Sequence, residues 1–198
     1  MGIFIGTWMI GNEMFGGSGS GGEELKGFEF KTQDAWKLSP EKCRFYCLSM
    51  IERYLFGDEG RSAEQIEKEW KELAKDRIPN GYTEMALYKE IGLSMGYSCY
   101  DMGDDNGEVN DLEVLGAMQS GDPILLLSYY KDESGVFTRA HARVICGIDY
   151  LPSGTALLKI ADPMMVDFYY QTFGTLGRDR DQQTVIKYNT YVWFLYSK

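Results

Sequence analysis

Histidine, cysteine and positive charge are all in short supply in this 198-residue chain, and each shortage excludes something. There is one histidine, His141, and there are four cysteines, Cys43, Cys47, Cys99 and Cys146, with no Cys-x-x-Cys pair among them. A structural zinc centre of the usual thiolate and imidazole composition is therefore not expected. The cysteines fall in segments of helix or strand character, unlike the framework of a small disulfide-stapled domain. Lysine and arginine number 20 against 30 aspartates and glutamates, a formal charge of −10. That balance argues against nucleic acid or an anionic membrane as partner, although it also serves solubility and so identifies no partner by itself. No apolar run approaches the length of a membrane span. Residues 3–10 are apolar but short and follow no basic segment, and Gly6 stands where a myristoylation signal needs Ser or Thr. Neither a secretory signal nor a lipid anchor is expected, which leaves the cytoplasm as the default compartment. Oligomeric state is not legible.

Aromatics, by contrast, are abundant, with 14 tyrosines and 10 phenylalanines, as in an ordered domain with sheet content. The length suits one domain with a full core. Residues 1–27 read as a flexible, glycine-rich tail or linker, and 28–198 as the folded domain. Gly16, Gly17, Ser18, Gly19, Ser20, Gly21 and Gly22 follow an apolar peptide from Gly2 to Phe15. Three readings stay open for that tail: an added linker or tethered peptide, a native disordered tail, or a leader whose glycine pairs mark a cleavage point.

Ser39, Pro40 and Glu41 carry the chemistry of a helix start, and apolar positions 43, 46, 47, 50, 51, 54 and 55 keep helical spacing up to Gly57. So apolar a helix belongs in the core. Ser62 and Gln65 form the ends of a capping box, opening a second helix with Ile66, Trp70 and Leu73 on its inner face. A turn at residues 77–81 precedes a third helix from Thr83 to Gly96, and Asn110 with Glu113 caps a fourth that ends before Gly121. The acidic stretch from Asp101 to Glu108 lacks the calcium-loop pattern, because Asn106 holds the place of the needed glycine, and it reads as a solvated loop. Ile124 to Leu127 form a buried strand, and Val185 to Tyr196 supply late strands. Helices first and an antiparallel sheet second make an α+β plan.

The chemistry concentrates late in the chain. His141 opens a β-favouring run closed by Gly147, residues 151–154 form a turn, and a second run from Ala156 to Ile160 delivers Asp162 as Pro163 stops the strand. Such a hairpin sets an imidazole beside a carboxylate, which fixes the ring's tautomer and stabilises its charged form. Cys43 lies near the start of the most apolar helix, where unpaired amides and the helix dipole favour thiolate over thiol. A cysteine so placed, facing a histidine on a sheet, is a nucleophile with its base. Cys47, one turn further, is expected buried and slow to react.

The order Cys43, His141, Asp162 and the phrases from Met50 to Gly57, Gly121 to Ile124, Gly147 to Asp149 and Asp162–Pro163 resemble papain-like cysteine peptidases. The branch they resemble most processes bacteriocins after double glycines. The likeness spans about residues 28–198. It implies a papain-like fold, with a central nucleophile-bearing helix packed on a C-terminal antiparallel sheet, and a peptide or protein substrate with no cofactor. It further implies that Cys43 attacks an acyl carbon, His141 takes its proton, Asp162 orients His141, and Gln33 donates to the oxyanion beside the Cys43 amide. The family's spacing from nucleophile to helix-ending glycine matches Cys43 to Gly57 better than Cys47 to Gly57. The chain departs from the pattern at Gln33, which stands further ahead of Cys43 than is usual, and at Phe45 and Tyr46, where the family mostly keeps small residues. Two other functions remain open: a papain-like domain without catalysis that binds a peptide or protein, and a thiol acyltransferase using the same dyad.

Overall fold

The computed structural model describes residues 21–32, 42–80, 83–102, 109–131, 134, 137–176 and 190–197. Four helices lie among them: α1 (Cys43–Phe56), α2 (Ala63–Arg77), α3 (Glu84–Glu90) and α4 (Asp111–Ser120). The strands are β1 (Glu23–Glu24), β2 (Ser98–Asp101), β3 (Ile124–Lys131), β4 (Phe137–Tyr150), β5 (Ala156–Ala161), β6 (Tyr169–Gln171) and β7 (Thr190–Ser197). They form one antiparallel sheet in the order β2-β7-β3-β4-β5-β6, with β1 also paired to β4. The chain is mixed α plus β, and none of the described helices is long and apolar enough to cross a membrane.

Helix α1 is the centre of the core. Cys43 and every residue from Phe45 to Glu52 are buried, so the helix is covered nearly all round rather than along one stripe. It packs on β4 and against α2. A chain of rings then ties the helices to the sheet: Phe45 meets Trp70 edge-on at 5.9 Å, Trp70 meets Tyr88 at 4.7 Å, and Tyr88 stacks on Phe194 of β7 at 5.5 Å.

One charge is buried in this apolar helix. The Glu52 carboxylate is fully enclosed and accepts from the Arg61 amide at 3.0 Å, the Arg61 guanidinium Nε at 2.9 Å and the Tyr97 hydroxyl at 2.8 Å. Arg61 Nη2 also donates to the Ile91 carbonyl at 2.8 Å. A buried carboxylate without such partners would be prohibitive, and here the pairing fixes α1 against the segments flanking α2 and α3.

The capped helix ends match the sequence. Ser62 with Gln65 and Asn110 with Glu113 form reciprocal capping boxes, and Gly57 and Gly121 end their helices. Elsewhere the structure differs. Helix α1 starts at Cys43, with Lys42 as its cap, instead of at Pro40; Ser39, Pro40 and Glu41 lie outside the described residues. Helix α3 stops at Glu90 rather than running to Gly96, because Tyr97 folds back over Gly92 so closely that a Cβ there would sit 2.1 Å from the ring.

Residues 21–27 do not stand apart from the domain. Glu23 and Glu24 pair with Ile148 and Gly147, the Leu25 amide donates to the Cys146 carbonyl at 2.9 Å, and Leu25 is buried. Strands β1 and β2 therefore precede α4, so helices and sheet do not divide cleanly along the chain.

Candidate active site

Strand β4 reaches further toward its N-terminus than its neighbour β5. Pairing ends at Val144 opposite Ala161, because the chain turns at Asp162 and Pro163 has no amide to continue the ladder. The Ala142 amide thus lies past the end of β5, and the Cys43 sulfur accepts it at 3.4 Å. The start of α1 caps the exposed length of β4, and that is what brings a helix N-terminus to the strand carrying His141.

His141 and Asp162 are then neighbours by topology. His141 Nε2 donates to Asp162 Oδ2 at 2.8 Å. The carboxylate can only accept, so the proton of that bond belongs to Nε2, and the other ring nitrogen, Nδ1, is left for Cys43. His141 and Cys43 are in side-chain hydrogen-bonding contact. Asp162 is itself fixed: Oδ1 accepts from the Met164 amide at 2.9 Å, its carbonyl accepts from the Met165 amide at 2.8 Å, and Oδ2 also takes the Tyr169 hydroxyl at 3.4 Å. The approach to α1 is tied to the same turn, since Thr32 Oγ1 donates to the Pro163 carbonyl at 3.3 Å.

The electrostatics follow from these contacts. Burial works against a charged imidazole, but the Asp162 carboxylate and the contact with Cys43 outweigh it and push His141 up to about 10 from its ordinary 6.5. Burial likewise opposes charge on Asp162, and His141, the Met164 amide and Arg143 together hold it below the ordinary carboxylate value. Burial pushes the Cys47 thiol well up, with Cys43 and Asp162 adding to the effect and Arg143 opposing it. Cys47 is fully enclosed and separate from this chemistry.

Three of the four residues singled out in the sequence thus converge: Cys43, His141 and Asp162. Gln33 lies outside the described residues. Phe45 and Tyr46 are buried in the core. Cys43 is also closely covered, at 3% exposure, while the His141 side chain keeps 14%. Among the described residues no group of three His, Cys, Asp or Glu side chains is placed to hold a metal ion.

Arg143 was not among the sequence candidates. It is 3% exposed, and its guanidinium donates to Ser128 Oγ at 2.8 Å, Gln171 Oε1 at 3.1 Å and the Leu176 carbonyl at 3.2 Å. A signal existed: Arg143 is the one charged residue between His141 and Ile148, at even spacing from His141 and hence on the same face of the strand. No family model and no curated protein matches the chain.

Proposed function

We propose that the protein is a papain-like cysteine peptidase acting on a peptide or protein substrate. The observation that carries this reading is the convergence of the Cys43 sulfur, the His141 ring and the Asp162 carboxylate, from the start of α1, from β4 and from the turn after β5. His141 Nδ1 already carries the thiol's proton at neutral pH, and the sulfur bonds as a thiolate to the substrate's carbonyl carbon. The developing oxyanion lies by the start of α1, where the helix dipole favours negative charge. His141 then returns the proton to the leaving amine as the C–N bond breaks, and water hydrolyses the thioester. An amine in place of water makes the same site an acyltransferase. By the resemblance, Gln33 is the second oxyanion donor.

The test is hydrolysis of a mixed peptide library read by mass spectrometry. His141→Ala is expected to lower turnover by about 10²–10⁴-fold in protein that is still folded. Cys43→Ala should abolish it, and Asp162→Asn should lower kcat more than KM is raised. Full turnover in His141→Ala would end the proposal, since no second histidine exists to replace it.

The second reading, a papain-like domain that binds peptide without catalysis, is favoured by one observation, the 3% exposure of Cys43. Reactive cysteines keep some access to solvent, and a closely covered sulfur is otherwise an ordinary small apolar residue. Peptide binding without turnover, unaffected by Cys43→Ala, is the outcome that selects it.

A further inference from the structure

A guanidinium buried at 3% exposure is costly without a counter-charge, and Ser128, Gln171 and the Leu176 carbonyl, which accept from Arg143, are neutral. Among the described residues, Asp162 is a carboxylate whose charge Arg143 favours. Tyr169 stands between them, donating to Asp162 Oδ2 at 3.4 Å and hydrogen-bonded to Arg143. We infer that Arg143 is a positioning residue for the candidate site, acting through Tyr169 to keep the Asp162 carboxylate ionised and turned toward His141. This rests on the proposed Cys43–His141–Asp162 chemistry.

Charge balance explains why a buried arginine belongs there. Once Cys43 has given its proton to His141, the site holds a thiolate, an imidazolium and the Asp162 carboxylate, a net charge of −1 in a desolvated place. Arg143 brings the sum to zero. Among the described residues, the ionisable groups coupled to Asp162 are Cys47 from α1, His141 and Arg143 from β4, and Tyr169 from β6, with Cys43 on the other side of the His141 ring. Burial pushes the Tyr169 phenol above its ordinary range, so it stays a neutral donor across the working pH. Of the two cations, only Arg143 keeps its charge through every step.

The single histidine makes this measurable in the full-length protein without any substrate. Followed by NMR from pH 7 down to 4, the His141 ring stays charged, so a step in its signals reports Asp162 taking a proton. The parent should be flat across that window. In Arg143→Met a step should enter it, because a nearby cation lowers a carboxylate by about one to three pH units. Arg143→Lys should stay close to the parent, and adding Asp162→Asn to Arg143→Met should remove the step. Should Arg143→Met fail to fold, Tyr169→Phe keeps the volume and is expected to show a smaller step in the same direction. Flat signals in every folded variant would overturn the inference. The two proposals fail separately. A moving step with no peptide turnover in the parent sinks the peptidase and leaves Arg143 standing, whereas turnover with no step does the reverse.

Discussion

One hydrogen bond gives His141 and Asp162 opposite responses to pH. The folded state raises His141 to about 10, so its stabilisation is complete below the ordinary 6.5 and is lost as pH rises through about 10. Asp162 is lowered from its ordinary 3.8, so its share is complete above that value and is lost as pH falls through the depressed one. The pair is therefore at full strength between about pH 4 and 6.5. Comparing thermal unfolding of the parent with His141→Gln across pH should show the largest gap in that window, closing toward pH 10. A gap that grows toward alkaline pH would contradict the assignment. At this scale the sequence showed much of the site. Cys43, His141 and Asp162 each had a local signal: a helix start, a lone histidine in a strand, and a carboxylate before proline. Arg143 was harder to read, because its partners Gln171 and Leu176 come from beyond β5 and no local pattern joins them to β4.

Among the elements, α1 depends on a single buried carboxylate. Glu52→Ala leaves the Arg61 guanidinium, itself mostly enclosed, without its main counter-charge, and should cost about 3–5 kcal/mol in denaturant unfolding. A loss within experimental error would show that Arg61 is already balanced by Glu69. The end of α3 offers a second test. Gly92 has an ordinary φ of −87°, and the atoms nearest to an added Cβ all belong to the Tyr97 ring. Gly92→Ala should lose about 1–3 kcal/mol in the parent and less in a Tyr97→Leu background, where the ring is gone. Caps were legible because Ser62, Gln65, Asn110 and Glu113 act on their own first turns. The early stop of α3 was not, since Tyr97 closes it from the far side of Gly92. Helix α1 begins at Cys43 rather than at Pro40, and that later start puts Cys43 in the first turn instead of one turn inside.

Across the whole molecule, β1 runs along β4 in a direction that bears on the tail. A Cβ on Gly22 would come within 2.8 Å of Asp149 Oδ1 and of the Ile148 carbonyl, so glycine is needed for that approach. Asp149 lies eight residues along β4 from His141, about 26 Å at the rise of an extended strand. The antiparallel register places Glu23 opposite Ile148, further along β4 from His141 than Glu24 opposite Gly147. Cleavage in cis after Gly21–Gly22 would require β1 to detach; Gly16–Gly17 lies outside the described residues. Prolonged incubation should accordingly leave the mass unchanged at Gly22, in the parent and in Cys43→Ala alike. Cleavage there in the parent alone would show that β1 opens readily. The α+β plan was legible from capped helices and alternating strands. The place of β7, second from the edge between β2 and β3, was not, because nothing local in residues 190–197 specifies which strands lie beside it.

The most direct test of the central claim is the rate at which iodoacetamide labels each cysteine at pH 6, read by peptide mapping. Burial pushes Cys99 and Cys146 up to about 12 and Cys47 well above its ordinary value, so all three should react slowly. A nucleophile paired with His141 predicts that Cys43 is labelled first, and at least about tenfold more slowly in His141→Ala. Labelling of Cys47 with Cys43 untouched, or a Cys43 rate indifferent to His141, would contradict it.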